Sequence, residues 1–246
     1  MNVVSIVGNR PQFIKAAPVA RALDDLCHHV LVHTGQHYDA DLSQIFFEEL
    51  GLRPADRRIE SGSGTHSEQT ARMLIGLEPV IEDERPDAVL VYGDTNSTLA
   101  GALVAAKLQV PIGHVEAGLR SFDRRMPEEL NRMVVDVLAD LRFCPSDTAV
   151  TNLAAEGITA GVHRVGDVMV DVAQTFAPIA ARRSEALTGA GVQPGEYVIL
   201  TAHRPANTLP ETIPALVEVI EAVEMPVVFP VHPRTRAALE RAGLLE

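Results

Sequence analysis

The chain has 246 residues, of which 46% are hydrophobic, and its formal net charge is −12 at pH 7. This length and apolar content suit one large domain or two modest ones around a packed core. The acidic balance and the absence of a basic run argue against nucleic-acid binding, which depends on clustered Lys and Arg.

Cysteines and apolar runs indicate the compartment. Cys27 and Cys144 lie far apart and lack CxxC spacing, so neither a disulfide framework nor a zinc knuckle is expected. The apolar run of residues 1–8 is too short for a signal peptide and has no basic flank. No stretch reaches the roughly 18 apolar residues that cross a bilayer. These features predict a cytoplasmic protein without a membrane partner.

Short β-branched segments alternate with longer amphipathic segments, which is typical of βαβ units around a parallel sheet. Several strand segments are apolar on both faces, as strands covered by helices on each side are. The predicted strands are residues 3–7, 30–34, 88–92, 112–115, 141–144 and 163–165. The predicted helices between them are residues 13–26, 39–50, 66–84, 96–108, 127–138 and 146–156.

The pattern changes after residue 166. One long helical stretch, residues 168–187, precedes a segment rich in Gly, Pro and Gln, which predicts a bridge between domains. A second alternation follows, with strands at 197–201 and 227–231 and helices at 210–223 and from 234 onward. We therefore expect an N-terminal parallel-sheet domain over residues 1–168, a bridging helix and linker over 169–195, and a partial C-terminal α/β domain over 196–246.

Ligands of open parallel sheets bind beyond the carboxyl ends of the strands, so the loops after the strands carry the functional information. The first of these loops delivers Arg10 and Lys15 to the beginning of a helix. Cations beside free helix N–H groups form an anion site, for which a pyrophosphate is the expected ligand. The alternative is an ordinary turn with two solvated charges, and this segment by itself does not decide between them.

Two carboxylates lie just after the predicted strands 88–92 and 112–115. Asp94 belongs to a run of polar residues after strand 88–92, where helix capping would explain only one of them. Glu116 ends a strand expected to be buried on both faces, and a buried charge is unfavourable unless it is paired. The functional interpretation of Glu116 is favoured over a structural ion pair with Arg120 or Arg124.

A third carboxylate, Glu128, lies four residues before Arg132 in the predicted helix 127–138. As an exposed pair they would contribute only about 0.3–0.5 kcal/mol, and such a pair is the commoner explanation of this spacing. Asp94, Glu116 and Glu128 nevertheless all fall at carboxyl-end positions, facing the same crevice as the two cations. Grouped carboxylates can serve as acid and base at one centre.

His203 and His232 end the two strands of the second alternation, and Arg204 and Arg234 lie close by. Either histidine alone would be interpreted as a loop residue whose ring is hydrogen-bonded within the protein. Two successive strands ending in His indicate instead a second wall facing the anion. A metal site is not expected, because neither a helical HxxxH pair nor a Cys-rich cluster accompanies them.

In order and spacing, the motifs of the chain resemble those of the non-hydrolysing UDP-N-acetylglucosamine 2-epimerases. The resemblance extends along essentially the whole chain, with Asn9 and Gln12 where Thr and Glu are common in the family. The motifs are Gly8-Asn9-Arg10-Pro11 followed by Lys15, Thr34-Gly35-Gln36-His37, Tyr92-Gly93-Asp94-Thr95, His114-Val115-Glu116-Ala117-Gly118-Leu119-Arg120, Pro127-Glu128-Glu129-Leu130-Asn131-Arg132 and Val165-Gly166-Asp167.

This resemblance implies a GT-B-like α/β fold of two Rossmann-like parallel-sheet domains, the second incomplete because the family continues past Glu246 with further nucleotide-binding segments. It implies a homodimer that converts UDP-N-acetylglucosamine to UDP-N-acetylmannosamine without a cofactor. The alternatives are a 2-epimerase of another UDP-aminosugar, such as a 2,3-diacetamido uronic acid or a 6-deoxy sugar, and a non-catalytic nucleotide-sugar binding module. By similarity, the catalytic residues are Asp94, Glu116, Glu128 and His203, and the substrate-binding residues are Arg10, Lys15, Arg132 and His232.

Overall fold

A computed structural model describes residues 1–35, 49–202, 204 and 207–244 of the chain. The chain divides into two units, Met1–Ala177 and Pro178–Glu246, which are described separately. The division into residues 1–168, 169–195 and 196–246 stays a prediction.

The first unit is built on a parallel sheet. In chain order its strands are β1 (Asn2–Val7), β2 (His28–His33), β3 (Arg57–Arg58), β4 (Ala88–Tyr92), β5 (Ile112–Val115), β6 (Leu141–Cys144) and β7 (Val162–Arg164). Their order across the described sheet is β3-β2-β1-β4-β5-β6-β7, and every neighbouring pair is parallel. The strand order reverses between β1 and β4, as in Rossmann-like folds, so the predicted α/β class is confirmed.

Successive side chains of a strand point to opposite faces of the sheet, so apolar residues on both faces have to be covered. Helices pack on both faces of this sheet. Val4 and Ile6 of β1 lie in a buried cluster with Met73 and Leu77, whereas Val7 lies in a second cluster with side chains of the first helix. The described helices around the sheet are α1 (Arg10–Asp24), α2 (His66–Glu84), α3 (Asn96–Lys107), α4 (Pro127–Leu138) and α5 (Asp147–Ala155). The next helix, α6 (Val168–Arg183), contains the boundary between the two units.

Local sequence explains where two of these helices begin. The side chain of Asn9 accepts a hydrogen bond from the Gln12 N–H at 3.2 Å and so caps α1, with Pro11 in its first turn. Thr65 and Glu68 form a capping box that begins α2. Helix α2 begins at the predicted residue, whereas α1 begins three residues before the predicted start and ends two residues before the predicted end.

Several elements differ from their prediction. The helix predicted over 168–187 ends at Arg183, because the Ser184 hydroxyl accepts from the Ala186 N–H at 3.2 Å and a short helix, α7 (Ala186–Ala190), begins there. The edge strand β3 was not predicted, since its two residues are exposed arginines without an apolar pattern. Most of the helix predicted over 39–50 lies outside the described residues.

The second unit contains a parallel pair of strands, β8 (Val198–Ile199) and β9 (Val227–Val228), both shorter than predicted. Two helices follow these strands, α8 (Ile213–Glu221) and α9 (Pro233–Ala242). Ile213 packs with Ala238 and Leu239 in the core of this unit. None of the helices in the described part of the chain is long and apolar enough to cross a membrane.

Two glycines in the connection from α5 to β7 allow a matched test of backbone packing. Gly157 and Gly161 both have left-handed φ angles, 80° and 62°. A Cβ at Gly161 would lie 1.9 Å from the Asp140 carbonyl oxygen, whereas one at Gly157 would meet nothing within 4 Å. Gly161→Ala should therefore lower the free energy of unfolding by about 3 kcal/mol or more, because left-handed strain of about 1–2 kcal/mol adds to overpacking. Urea unfolding should show a loss of only about 1–2 kcal/mol for Gly157→Ala, and equal losses would contradict this account.

A buried polar chain runs through the sheet beside α1. His29 bonds through Nδ1 to Asp24 Oδ1 and through Nε2 to Ser5 Oγ, both at 2.9 Å, and Ser5 bonds to the Tyr92 hydroxyl at 2.9 Å. The grouping of Asp, His and Ser resembles a hydrolytic triad. Ser5 lies mid-strand with no exposed surface, so no substrate can reach it, and the chain of bonds is structural.

The environment of His29 predicts a pH effect. Burial lowers the pKa of His29 below its usual value, against the opposing effect of Asp24. The unfolded chain therefore binds more protons at this position, and stability should fall as the pH drops below about 6.5. Unfolding experiments between about pH 7.5 and 5.5 should show a steeper loss for the wild type than for His29→Gln. Parallel curves would exclude His29 as a contributor.

Candidate active site

The reversal of strand order brings the carboxyl ends of β1, β4 and β5 side by side at one edge of the sheet. Gly8, Gly93 and Glu116 directly follow these strands. This edge is where open α/β sheets bind their ligands. The loops singled out in the sequence therefore meet in space.

Lys15 and Glu116 form an ion pair at this edge, although 101 residues separate them. Their side chains are only 15% and 14% exposed. A Cβ at Gly93 would lie 3.1 Å from Lys15 Nζ and 3.2 Å from Glu116 Oε2, so the glycine leaves room for the pair. Glu116 is thus paired with the predicted anion-binding cation rather than with Arg120, which bonds to Asp136 and Glu156 instead.

The backbone of Glu116 is strained. Its φ angle is 74°, a left-handed conformation that costs a non-glycine residue about 1–2 kcal/mol. The turn is held because the N–H groups of Glu116 and Ala117 both donate to the Phe143 carbonyl at 3.1 Å. Strain of this kind is concentrated at functional sites, where the surrounding structure imposes it.

Asp94 and Arg132 form a second ion pair, with side chains 29% and 14% exposed. The cap of α3 is Thr95, so capping does not account for Asp94. Arg132 also contacts Glu129 at 3.2 Å, and this i,i+3 contact takes the place of the pair with Glu128 that the spacing suggested. Arg132 therefore links the loop after β4 to α4.

Glu128 and Glu129 are neighbours in the first turn of α4, yet their surroundings differ. Glu129 is 1% exposed and accepts hydrogen bonds from the Ser121 N–H and hydroxyl at 2.9 Å and from the Phe122 N–H at 3.0 Å. Burial by itself would raise the pKa of Glu129, but these bonds and Arg132 hold it below its usual value. Glu128 is half-buried and has no hydrogen bond or ion pair with any described residue. Glu129 therefore stabilises the loop, whereas Glu128 makes no such contact with a described residue.

The loop after β1 is organised by a residue whose role the sequence did not reveal. Gln12 is 1% exposed; its side-chain oxygen accepts from the Gly8 N–H at 2.7 Å. Its amide nitrogen donates to the Tyr92 carbonyl at 2.8 Å and to the Thr98 hydroxyl at 3.0 Å. Gln12 thus joins the loops after β1 and β4. Arg10 is exposed as the first residue of α1.

The two predicted histidines belong to the second unit. His203 lies outside the described residues. His232 is exposed and caps α9, its Nδ1 accepting from the Arg234 N–H at 3.1 Å. This contact is the one expected of a loop histidine. The substrate-binding role of His232 stays a prediction.

The Rossmann-like sheet and the two acid–cation pairs at its carboxyl edge define an α/β protein whose charged groups lie where such folds bind their ligands. The sequence model of the UDP-N-acetylglucosamine 2-epimerases matches residues 21–245, and the chain belongs to this family. Its fold is of the predicted GT-B-like α/β class, and the family is one of isomerases.

Individual relatives agree with this assignment. The chain is 48% identical to the UDP-2,3-diacetamido-2,3-dideoxy-D-glucuronate 2-epimerase of Pseudomonas aeruginosa, a match that covers 99% of this chain and 70% of that protein. It is 41% identical to the UDP-N-acetylglucosamine 2-epimerase of Methanocaldococcus jannaschii, covering 100% of this chain and 70% of that protein. A crystal structure of the latter enzyme in complex with UDP-GlcNAc and UDP superposes with a TM-score of 0.87 over 99% of this chain and 69% of that one.

Proposed function

We propose that the protein inverts C2 of UDP-N-acetylglucosamine to give UDP-N-acetylmannosamine. The observation that carries this proposal is the grouping of Lys15–Glu116 and Asp94–Arg132 beside the strand-order reversal, with Glu128 available in the first turn of α4. Family membership gives the reaction type, and the charges at this edge fit its chemical demands.

Those demands follow from the sugar. The C2 hydrogen has no adjacent carbonyl to acidify it, so direct proton removal is unfavourable. In an elimination, a carboxylate takes the C2 proton while the bond from C1 to the UDP oxygen breaks, which leaves a glycal and free UDP. Protonation of C2 from the opposite face and return of the UDP oxygen to C1 then give the epimer. This path requires carboxylates that move protons and cations that stabilise the departing diphosphate.

The proposed roles follow from this path. Asp94, Glu116 and Glu128 are the acid and base groups, with the identity of the first base left open. Lys15 and Arg10 bind the diphosphate, together with His203 by family resemblance. A ligand phosphate that draws Lys15 toward itself would leave Glu116 without its partner and so make Glu116 a better proton acceptor. Arg132 and His232 complete the substrate-binding set.

A second UDP-sugar is a candidate substrate. The 48% identical relative is named for UDP-2,3-diacetamido-2,3-dideoxy-D-glucuronate, which favours this uronic acid as an alternative substrate. The same elimination serves both sugars, because the reacting atoms are unchanged. Steady-state rates with both substrates decide between them.

Deuterium exchange tests the reaction itself. The protein as its gene encodes it is incubated in deuterated water with UDP-N-acetylglucosamine, and products are followed by NMR. Deuterium at C2 and accumulation of the second epimer are expected. Binding of UDP without exchange of either sugar would indicate a non-catalytic binding module. UDP released in proportion to free N-acetylmannosamine would indicate a hydrolysing enzyme.

We propose further that the partner is a second copy of the chain, docked on the outer face of α4. Leu130, Val134 and Val137 on this face are 42%, 42% and 67% exposed, and they border a groove of about 520 Å³. Arg124 and Glu156 line the same groove with opposite charges, which suits a self-complementary two-fold interface.

Light scattering should give a dimer that Val137→Lys converts to a monomer. Val219→Lys, at a valine of α8 that is 60% exposed, should leave the dimer intact. A monomeric wild type would refute the proposal.

A cytoplasmic location completes the proposal. It is supported by the number and spacing of the cysteines, because two distant cysteines without CxxC spacing do not form the disulfide framework typical of secreted proteins.

A further inference from the structure

One buried carboxylate, Asp136 of α4, connects the elements that carry the candidate acids. Its Oδ1 accepts from His114 Nδ1 at 2.7 Å, and both side chains are fully buried. Its Oδ2 accepts from the Gly118 N–H at 3.1 Å and from Arg120 Nη1 at 2.7 Å. Arg120 in turn donates to both oxygens of Glu156, at 2.7 and 2.6 Å.

The second nitrogen of His114 reaches the loop after β4. His114 Nε2 lies 2.8 Å from the Gly93 carbonyl oxygen. A carbonyl can only accept, so Nε2 donates this bond; the carboxylate of Asp136 likewise accepts from Nδ1. The ring of His114 is therefore hydrogen-bonded through both nitrogens and enclosed between a carboxylate and a peptide carbonyl.

These bonds connect the three chain segments that contain Asp94, Glu116 and Glu128. The Gly93 carbonyl belongs to the peptide bond that leads into Asp94, and the Gly118 N–H lies two residues after Glu116 in the strained turn. Asp136 itself lies on α4, eight residues after Glu128, or about 12 Å along the axis. A buried ion pair contributes little net stability compared with apolar packing, so stability alone does not explain its presence.

We infer that His114 and Asp136 are positioning residues that set the spacing of Asp94, Glu116 and Glu128 around the substrate. This inference rests on the proposed epimerase function. Neither residue reaches the surface, so both act through the groups that they hold. Loss of either bond would release the peptide before Asp94 or the turn after Glu116, and misplacement by about 1 Å lowers rates by about 100-fold.

The test uses His114→Gln and Asp136→Asn in the full gene product. Both variants should lower kcat for C2 exchange by about 100-fold while KM and the dissociation constant of UDP change by less than about 3-fold. His29→Gln is the matched control, because His29 is also a buried histidine bonded to a carboxylate and to a second polar group. It should destabilise the fold and leave kcat unchanged at a temperature where all variants are folded.

A spectroscopic readout accompanies the kinetics. NMR of the wild type should show that the His114 ring is hydrogen-bonded through both nitrogens, to Asp136 and to the Gly93 carbonyl. Absence of either bond would overturn the inference, as would wild-type kcat in His114→Gln or an equal loss of kcat in His29→Gln. No C2 exchange by the wild type would instead refute the proposed function, and the positioning role with it.

Discussion

Replacement of Glu128 by glutamine is expected to lower the rate of C2 proton exchange by about 10²–10⁴-fold, the usual contribution of one general acid or base. The free energy of unfolding should stay within about 0.5 kcal/mol of the wild type, because the side chain bonds to no described residue. Deuterium exchange and urea unfolding of the same preparation measure the two quantities. This combination is typical of a group that acts on the substrate and not on the fold.

Glu129→Gln is the control, since it makes the same chemical change one residue further along α4. Glu129 accepts bonds from Ser121 and Phe122 in a buried setting, so its neutralisation should lower the free energy of unfolding by about 1.5–3 kcal/mol. At a temperature where the variant is folded, its exchange rate should exceed that of Glu128→Gln. The opposite order of rates would exchange the roles assigned to the two residues.

Lys15→Gln is expected to raise the dissociation constant of UDP by about 10- to 100-fold, the loss of one charge-assisted hydrogen bond of about 1.5–3 kcal/mol. The side chain of Lys15 is only 15% exposed beside Glu116, so a bound phosphate would contact its ammonium group with little competing water. Calorimetric titration with UDP measures the change. Exchange should also slow, since the leaving diphosphate loses a cation.

The chain offers a simple control for this variant, because Lys107 is its only other lysine. Lys107 is exposed at the last residue of α3, roughly 18 Å along the helix from the edge at which α3 begins. Lys107→Gln removes the same charge and should leave the affinity for UDP unchanged. Equal weakening by both substitutions would show that net charge, and not a contact at Lys15, governs binding.

The local sequence pattern was sufficient to predict the bounds of many strands and helices. Strands β4, β5 and β6 and helices α2 and α4 have the predicted bounds, because apolar runs flanked by turn residues and caps are local signals. Strands β8 and β9 were predicted too long. Strand β3 was missed because its two arginines carry no apolar pattern, and the end of α6 was missed because it depends on one serine side chain.

The sequence by itself determined the parallel α/β class, the family and the polar loops after the strands, since these follow from periodicity and from motifs of adjacent residues. It did not determine the partners within the site. Lys15 with Glu116 and Arg132 with Asp94 are long-range pairs that exist only once the strand ends meet. The sequence does not distinguish Glu128 from Glu129, but successive residues of a helix point about 100° apart. As a result, α4 buries Glu129 and leaves Glu128 half-buried without a described partner. His114 and Asp136 were likewise assigned by tertiary structure alone, because a buried polar group is defined by the partners that surround it.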